Sequence, residues 1–294
     1  MSLSLPFLDM NVGAAQRAVA AMLKDADIDE PTLEARLLLG DVLGGGPERV
    51  LADRDETLTP DQAQNLFAAV QQRTLHMPMS YILGWREFWS LRFKVTAATL
   101  SPRPDSETIV EAALDHIPSS ARKILDLGTG TGCLLLALLS ELPEARGMAV
   151  DASEDALAVA LENAASLGLE GRTTCVLADW TEADWMVALG GPFDLVVSNP
   201  PYIPSADIAA LAPDVRDFEP RSALDGGVSG LDAYRRLVQA MDELLIPGGI
   251  CVFEVGIGQA DDVGALLNAA GLEVLEKRAD LGGIERAVVG RKPS

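Results

Sequence analysis

Lys123-Ile124-Leu125-Asp126-Leu127-Gly128-Thr129-Gly130-Thr131-Gly132-Cys133 is the stretch on which the fold turns. Its first five residues read as a strand, three glycines in five residues follow at once, and Cys133 to Leu142 then runs as an apolar helix. Strand, glycine turn and helix make the first half of a βαβ unit. Small residues in that turn let the backbone approach a ligand closely, and the helix N-terminus supplies free N–H groups. The next strand, about Gly147 to Val150, ends at Asp151, which lies 19 residues past Gly132. An acidic side chain there can accept hydrogen bonds from both hydroxyls of a ribose.

The pattern on either side extends this reading. From about Ser101 to the end, strand-like and helix-like segments alternate, with strands expected at Thr173 to Ala178, Phe193 to Ser198 and Gly249 to Val255. A last pair, Leu272 to Lys277 and Ile284 to Val289, should close the sheet antiparallel at one side. The expected fold class is α/β, a Rossmann-like, mostly parallel sheet with helices on both faces over residues 101–294. The first 76 residues lack strand alternation and read as a small helical bundle. Val12, Val19, Met22 and Leu23 share one helical face, and Leu33, Leu37, Leu38 and Val42 suggest another. Gly44-Gly45-Gly46-Pro47 should break the second helix, and Thr59-Pro60-Asp61-Gln62 is a capping box with proline at the first helical position. Residues 77–100 turn strand-like at Tyr81-Ile82-Leu83-Gly84, Glu87-Phe88-Trp89 and Leu91-Arg92-Phe93-Lys94-Val95, which predicts a hairpin linking the two parts.

The second informative stretch is Asn199-Pro200-Pro201-Tyr202, directly after the strand that begins at Phe193. Two prolines stop the ladder and stiffen the loop. Such a loop can grip a planar NH2 group. The Asn199 side-chain oxygen and the Pro200 carbonyl accept its two hydrogens, and Tyr202 packs on its face. Read alone, the tetrapeptide competes with a plain strand terminator; the glycine turn and Asp151 upstream weigh against that.

Composition narrows the partners. The 294 residues carry 23 Lys and Arg against 44 Asp and Glu, a formal net charge of −21. Nucleic-acid affinity rests on many Lys and Arg contacts to phosphates, so no direct nucleic-acid partner is expected. The densest basic group, Arg86, Arg92, Lys94 and Arg103, is spread over a strand-rich segment and reads as a solvated face. No apolar run reaches the ~18 residues needed to span a bilayer, so no membrane partner is expected. Met1 to Pro6 lacks the regions of a signal peptide. Cys133, Cys175 and Cys251 are far apart and read as buried, reduced thiols, and His76 and His116 are isolated, so no metal is expected. A cytoplasmic protein fits this set.

The glycine spacing separates two cofactors. A dinucleotide fingerprint needs a glycine where Cys133 stands, whereas Asp126-x-Gly128-x-Gly130-x-Gly132 resembles motif I of the class I S-adenosylmethionine-dependent methyltransferases. Over nearly its whole length the chain is similar to the release-factor glutamine methyltransferases, the PrmC/HemK family. The resemblance is carried by Pro78 to Gly84 with Glu87-Phe88-Trp89, and by Pro102-Arg103-Pro104-Asp105-Ser106-Glu107. Phe218-Glu219-Pro220, Ala223 to Gly227 and Gly230 to Arg235 extend it. Asp105 and Ser106 are mild variants of the family's "PRPETE" segment, and Ser101 replaces a commonly apolar residue.

The resemblance implies roles for particular positions. Gly128, Thr129, Gly130, Thr131 and Gly132 would line the methionine and ribose part of S-adenosylmethionine. Asp151 would bind the ribose hydroxyls, Trp180 would contact the adenine, and Asn199 would touch both cofactor and acceptor. Asn199, Pro200 and Tyr202 would be catalytic and, with Pro201, would bind the substrate amide. Arg103 and Glu107 would stand near the pocket. The implied reaction moves a methyl group to the glutamine amide nitrogen of the Gly-Gly-Gln motif in class I peptide chain release factors, leaving S-adenosylhomocysteine. The helical residues 1–76 would help to dock that protein substrate. Three alternatives stay open: a ribosomal-protein glutamine, a nucleic-acid adenine N6 amine (whose enzymes share Asn-Pro-Pro-Tyr), and a noncatalytic cofactor-binding protein.

Overall fold

Pro31, Pro47 and Pro60 each open a helix, at the position where a missing N–H costs nothing. A computed structural model describes residues 6–118 and 120–294. Met1 to Leu5, which carry most of the signal-peptide reading, lie outside the described residues, as does Ser119. The chain divides into two compact units, one running to Gly84 and including Pro213–Phe218, the other made of Trp85–Ala212 and Glu219–Ser294.

The first unit holds α1 (Val12–Asp25), α2 (Pro31–Val42), α3 (Pro47–Ala52), α4 (Pro60–Thr74) and α5 (Met79–Leu83). The capping box forms as expected. Gln62 N–H donates to Thr59 Oγ1 at 3.2 Å, and Thr59 N–H donates to Gln62 Oε1 at 2.9 Å. The α1 face is buried through Val12, Val19 and Leu23. On α2 the buried face is Ala35, Leu38, Leu39 and Gly40, while Leu33 is exposed. The difference has a steric cause: a Cβ on Gly40 would stand 2.8 Å from the Gly46 backbone, so small residues mark the close approach that leucine counting overlooks. The glycine run ends α2 at Val42, and the short helix α3 follows it.

Tyr81 to Leu83 are helical, contrary to the strand expectation. Pro78 starts a single turn, Gly84 ends it at φ +75°, and Met79, Ile82 and Leu83 pack on the bundle core. The hairpin is narrower than expected. It pairs β1 (Trp85–Phe88) with β2 (Leu91–Lys94) and belongs to the second unit, where Phe88 and Phe93 enter the core. Trp89 lies in its turn, not its strand: Trp89 and Ser90 take φ values of +52° and +56°, as a two-residue hairpin turn of matching twist requires.

The second unit continues with α6 (Glu107–His116), β3 (Lys123–Leu127), α7 (Cys133–Glu141), β4 (Arg146–Asp151), α8 (Glu154–Ser166), β5 (Thr173–Leu177) and β6 (Phe193–Ser198). After α9 (Pro213–Arg216), which groups with the first unit, come α10 (Asp232–Leu244), β7 (Leu245–Glu254), α11 (Ala260–Ala269), β8 (Glu273–Ala279) and β9 (Glu285–Arg291). The strand order is β5-β4-β3-β6-β7-β9-β8, with the first five strands parallel and β9 antiparallel to both neighbours. Separate apolar clusters cover the two sheet faces, one including Ile124, Leu195 and Val252, the other Leu125, Val196 and Phe253. Alternate residues of each strand point to opposite faces, so helices pack on both. The order reverses direction at β3, and in open α/β sheets the carboxyl ends of the strands at such a switch form the ligand crevice.

Candidate functional site

Parallel pairing aligns the carboxyl ends of three strands. Leu127 of β3 is level with Val150 of β4 and Ser198 of β6, so the residues that follow, Gly128, Asp151 and Asn199, emerge at one edge. They line a cavity of about 430 Å³, a size within the range of small-molecule sites. Thr129, Gly130, Thr131, Trp180 and Pro201 line it too, as do Ser101, Arg103, Ser106, Cys133 and Asp155. Gly132, Pro200 and Tyr202 are not on its wall.

The glycine turn is built for close approach. Gly128, Gly130 and Gly132 have φ of +75°, +52° and +80°, a region that other residues enter at a cost. A Cβ on Gly128 would stand 3.1 Å from Trp180 Cη2, so the bare backbone lets the indole lie over the turn. Gly132 instead gives room for Leu136 and Ala160, packing α7 against α8. The Asp151 carboxylate is held from two sides, by Gly130 N–H at 2.9 Å and Ser153 N–H at 3.0 Å.

Beneath the turn, burial lifts the Asp126 carboxyl to about 7, against the hydrogen bond donated by the Thr129 hydroxyl at 2.6 Å. Its other oxygen, Oδ1, is buried with no partner. Burial likewise lifts Glu254, at the end of β7, to about 7 against a hydrogen bond from Ser106. The Cys133 thiol is pushed up to about 12, chiefly by burial, which keeps it protonated and unreactive. Desolvation also drives the Tyr202 phenol above its ordinary range, so it stays neutral.

The Asn199 to Tyr202 loop is fixed from behind. Ile203 N–H donates to Leu224 O at 3.0 Å, Gly226 N–H to Ile203 O at 2.8 Å, and Ile203 bridges Asp225 in parallel. Gln259 Nε2 donates to Tyr202 O at 3.0 Å, while its Oε1 accepts from Gly256 N–H. A Cβ on Gly226 would stand 2.7 Å from Pro201 O and 2.8 Å from Tyr202 Cα. Gly226→Ala must therefore push the loop forward, an overpacking cost of about 1–3 kcal/mol. Turnover is expected to fall while cofactor affinity holds. Thermal melting with single-turnover assays checks this, and wild-type values in both would show that the loop is not seated on Gly226.

Arg103 lines the cavity and pairs with Glu219 at 2.5 Å. Glu107 serves elsewhere, accepting the Trp89 N–H of the hairpin turn at 2.8 Å. Two more of the basic group are partnered: the Arg92 guanidinium lies 4.1 Å over the Trp85 ring, and Lys94 pairs with Glu162. Sequence reading missed Ser106, Asp126, Glu254 and Gln259 as parts of the site. Ser106, Glu254 and Gln259 reach it through contacts far apart in the chain, and of the four only Ser106 and Asp126 stood inside motifs already singled out. Among the described residues, no helix is long and apolar enough to cross a membrane.

Residues 14–84 match the PrmC N-terminal domain family, and residues 106–212 match the methyltransferase small domain family. The chain is 49% identical over 270 residues to the release factor glutamine methyltransferase of Rhodospirillum rubrum, covering 92% of this chain and 82% of that one. It is 45% identical over 292 residues to the protein of the same name from Bradyrhizobium diazoefficiens, covering 98% and 97%. Among solved structures, the hMettl16 catalytic domain in complex with MAT2A 3'UTR hairpin 6 is similar with a TM-score of 0.55 at 15% identity, covering 78% of this chain and 81% of that one. A methyltransferase from Pyrococcus furiosus gives 0.51 at 16%, covering 69% and 90%. These two likenesses concern the fold: a mostly parallel sheet of the class I methyltransferase type. With such identity to curated relatives along nearly all of both chains, this protein belongs to the release factor glutamine methyltransferase family.

Proposed function

We propose that this protein transfers a methyl group from S-adenosylmethionine to the side-chain amide nitrogen of the glutamine in the Gly-Gly-Gln motif of class I peptide chain release factors. The observation that carries the reading is that Asn199 opens onto the same cavity as the glycine turn and Asp151. The fit to the cofactor is supported by that turn, where side chains would fill the space, and by an acidic residue at the ribose position. Gly128 to Thr131 would flank the methionine and ribose, Asp151 would accept from the ribose hydroxyls, and Trp180 would pack on the adenine. Gly132 shapes the turn from behind.

S-Adenosylmethionine supplies an electrophilic methyl on a sulfonium, whose leaving group is a neutral thioether. The acceptor amide is the weak partner, because its lone pair is delocalised into its carbonyl. Alignment and release of that lone pair are therefore the protein's tasks. Asn199 Oδ1 and the Pro200 carbonyl accept the two amide hydrogens and stabilise the positive charge that develops on nitrogen, binding the transition state better than the ground state, and one of those N–H protons then leaves to solvent. Tyr202, neutral and held by its neighbours, restricts the amide plane. Residues 1–76 serve as the docking element for the protein substrate.

The test is methyl transfer from labelled cofactor to release factor, to the same factor with its Gly-Gly-Gln glutamine changed to alanine, and to duplex DNA. Label on the first alone is expected. Label on DNA, or equal label on the altered factor, overturns the reading.

A further inference from the structure

Ser106 occupies the N-cap of α6, yet its side chain makes no capping hydrogen bond. A serine at that position ordinarily accepts from the N–H groups of the first turn. Here the residue is only 3% exposed, lines the cavity, and turns its hydroxyl inward to two other elements. One contact is Glu254, at the end of β7, whose carboxyl is hydrogen bonded to the Ser106 side chain. The other is Asn199, whose Nδ2 faces Ser106 Oγ at 3.5 Å, the long end of the hydrogen-bond range.

Glu254 is costly to keep. It is 2% exposed, its Oε2 is buried with no partner, and the carboxyl faces Tyr202, Tyr234, Cys133, Asp105, Arg103 and Arg286. Its strand end is anchored by Tyr234, whose hydroxyl donates to Glu254 O at 2.7 Å. A buried carboxyl with an unmet oxygen is a cost that packing alone would remove.

Proton counting supplies a reason. An asparagine amide has two faces of almost equal shape, one accepting and one donating. Acceptance of an incoming amide needs the oxygen face turned to the cavity. A serine hydroxyl has one proton, and left free it could donate to Asn199 Oδ1 and hold the amide the wrong way round. An ionised carboxylate has lone pairs and no proton, so Glu254 above pH 7 can only accept, and the Ser106 hydroxyl donates to it. Ser106 Oγ can then only accept from Asn199, which draws the NH2 to Ser106 and leaves Oδ1 toward the cavity.

We infer that Ser106 and Glu254 are positioning residues that fix the polarity of the Asn199 side-chain amide. The inference deepens the functional reading above and rests on Asn199 accepting the substrate NH2. It assigns work to three residues brought together from α6, the end of β6 and the end of β7.

The experiment compares the full-length wild type with Ser106→Ala, Ser106→Thr, Glu254→Gln and the Ser106→Ala/Glu254→Gln double variant. Release factor and S-adenosylmethionine are the substrates, in a buffer above pH 7 so that Glu254 is largely ionised. Ser106→Ala is expected to lower kcat on the order of tenfold, the worth of one well-placed hydrogen bond to a reacting site. KM for release factor and the cofactor Kd should stay at wild-type values. Ser106→Thr keeps the hydroxyl and should retain most of the turnover. The double variant should be no slower than Ser106→Ala, because both changes break one relay.

Wild-type kcat in Ser106→Ala overturns the inference. So does a loss that appears in the cofactor Kd, or single losses that multiply in the double variant. If Glu254→Gln does not fold, the alanine and threonine variants at Ser106 decide the matter between them. A wild type that labels another amine in place of release factor overturns the substrate assignment, and the same turnover ratios on that acceptor still judge the relay. A wild type inert toward every acceptor overturns both.

Discussion

Asn199→Ala is expected to lower turnover by about 10²–10³-fold, the range seen when one preorganised group that meets transition-state charge is removed. The alanine keeps the loop, because its anchors lie elsewhere: the Ile203 bridge to Asp225, and the Gln259 bond to Tyr202 O. What disappears is the side-chain acceptor for one of the two amide hydrogens. The Pro200 carbonyl remains, so the acceptor can still enter but is held by one point and free to pivot. KM for release factor should change far less than kcat, and titration calorimetry should still find cofactor binding. Near-normal turnover in single-turnover assays would remove Asn199 from the chemistry.

The second large effect is on binding. Asp151→Ala should weaken cofactor affinity by about 10–100-fold, equivalent to losing charge-assisted hydrogen bonds of roughly 1.5–3 kcal/mol. The carboxylate is preset by Gly130 N–H and Ser153 N–H, so it meets a ribose without further ordering. Its removal also frees the Gly130 amide, loosening the turn that faces the cofactor. Raising the cofactor concentration should recover much of the turnover, a pattern opposite to that of Asn199→Ala. An unchanged dissociation constant by calorimetry would place the ribose elsewhere.

The fold was legible where local chemistry and tertiary context agree. Lys123 to Gly132 has one sensible reading because only glycine tolerates three positive φ values so close together, and the strands on either side are short apolar runs. Legibility failed where packing overrode local preference. Tyr81 and Ile82 favour strands, yet Pro78 and Gly84 bracket a single helical turn whose side chains complete the bundle core. Trp89, an aromatic expected in a strand, sits in the left-handed region because Glu107 accepts its N–H and Glu141 its indole N–H. In the site, most residues inside motifs were found, Asp126 and Ser106 excepted, and those behind the motifs were not. Asn199 stands out beside two prolines, but nothing near Glu254 in the chain shows that it meets Ser106. Contacts across some 90 to 150 positions leave no periodicity to read.

The pinning of the chain on either side of residues 206–218 has a consequence for how such enzymes can diverge. On one side Ser205 is tied twice, by its N–H to Gly227 O at 2.9 Å and by its hydroxyl to Asp225 Oδ1 at 2.6 Å. On the other, Glu219, 6% exposed, accepts from Arg103 at 2.5 Å and from Ser101 N–H at 3.3 Å. The anchors of the Asn199 loop, the Ile203 bridge to Asp225 and the Gln259 bond to Tyr202 O, lie outside the stretch between these moorings. Closing a longer excursion costs only about 0.6 kcal/mol for each doubling of length. Lineages can therefore rewrite residues 206–217, in length or in charge, to suit different protein partners while the methyl-transfer geometry passes unaltered from one descendant to the next.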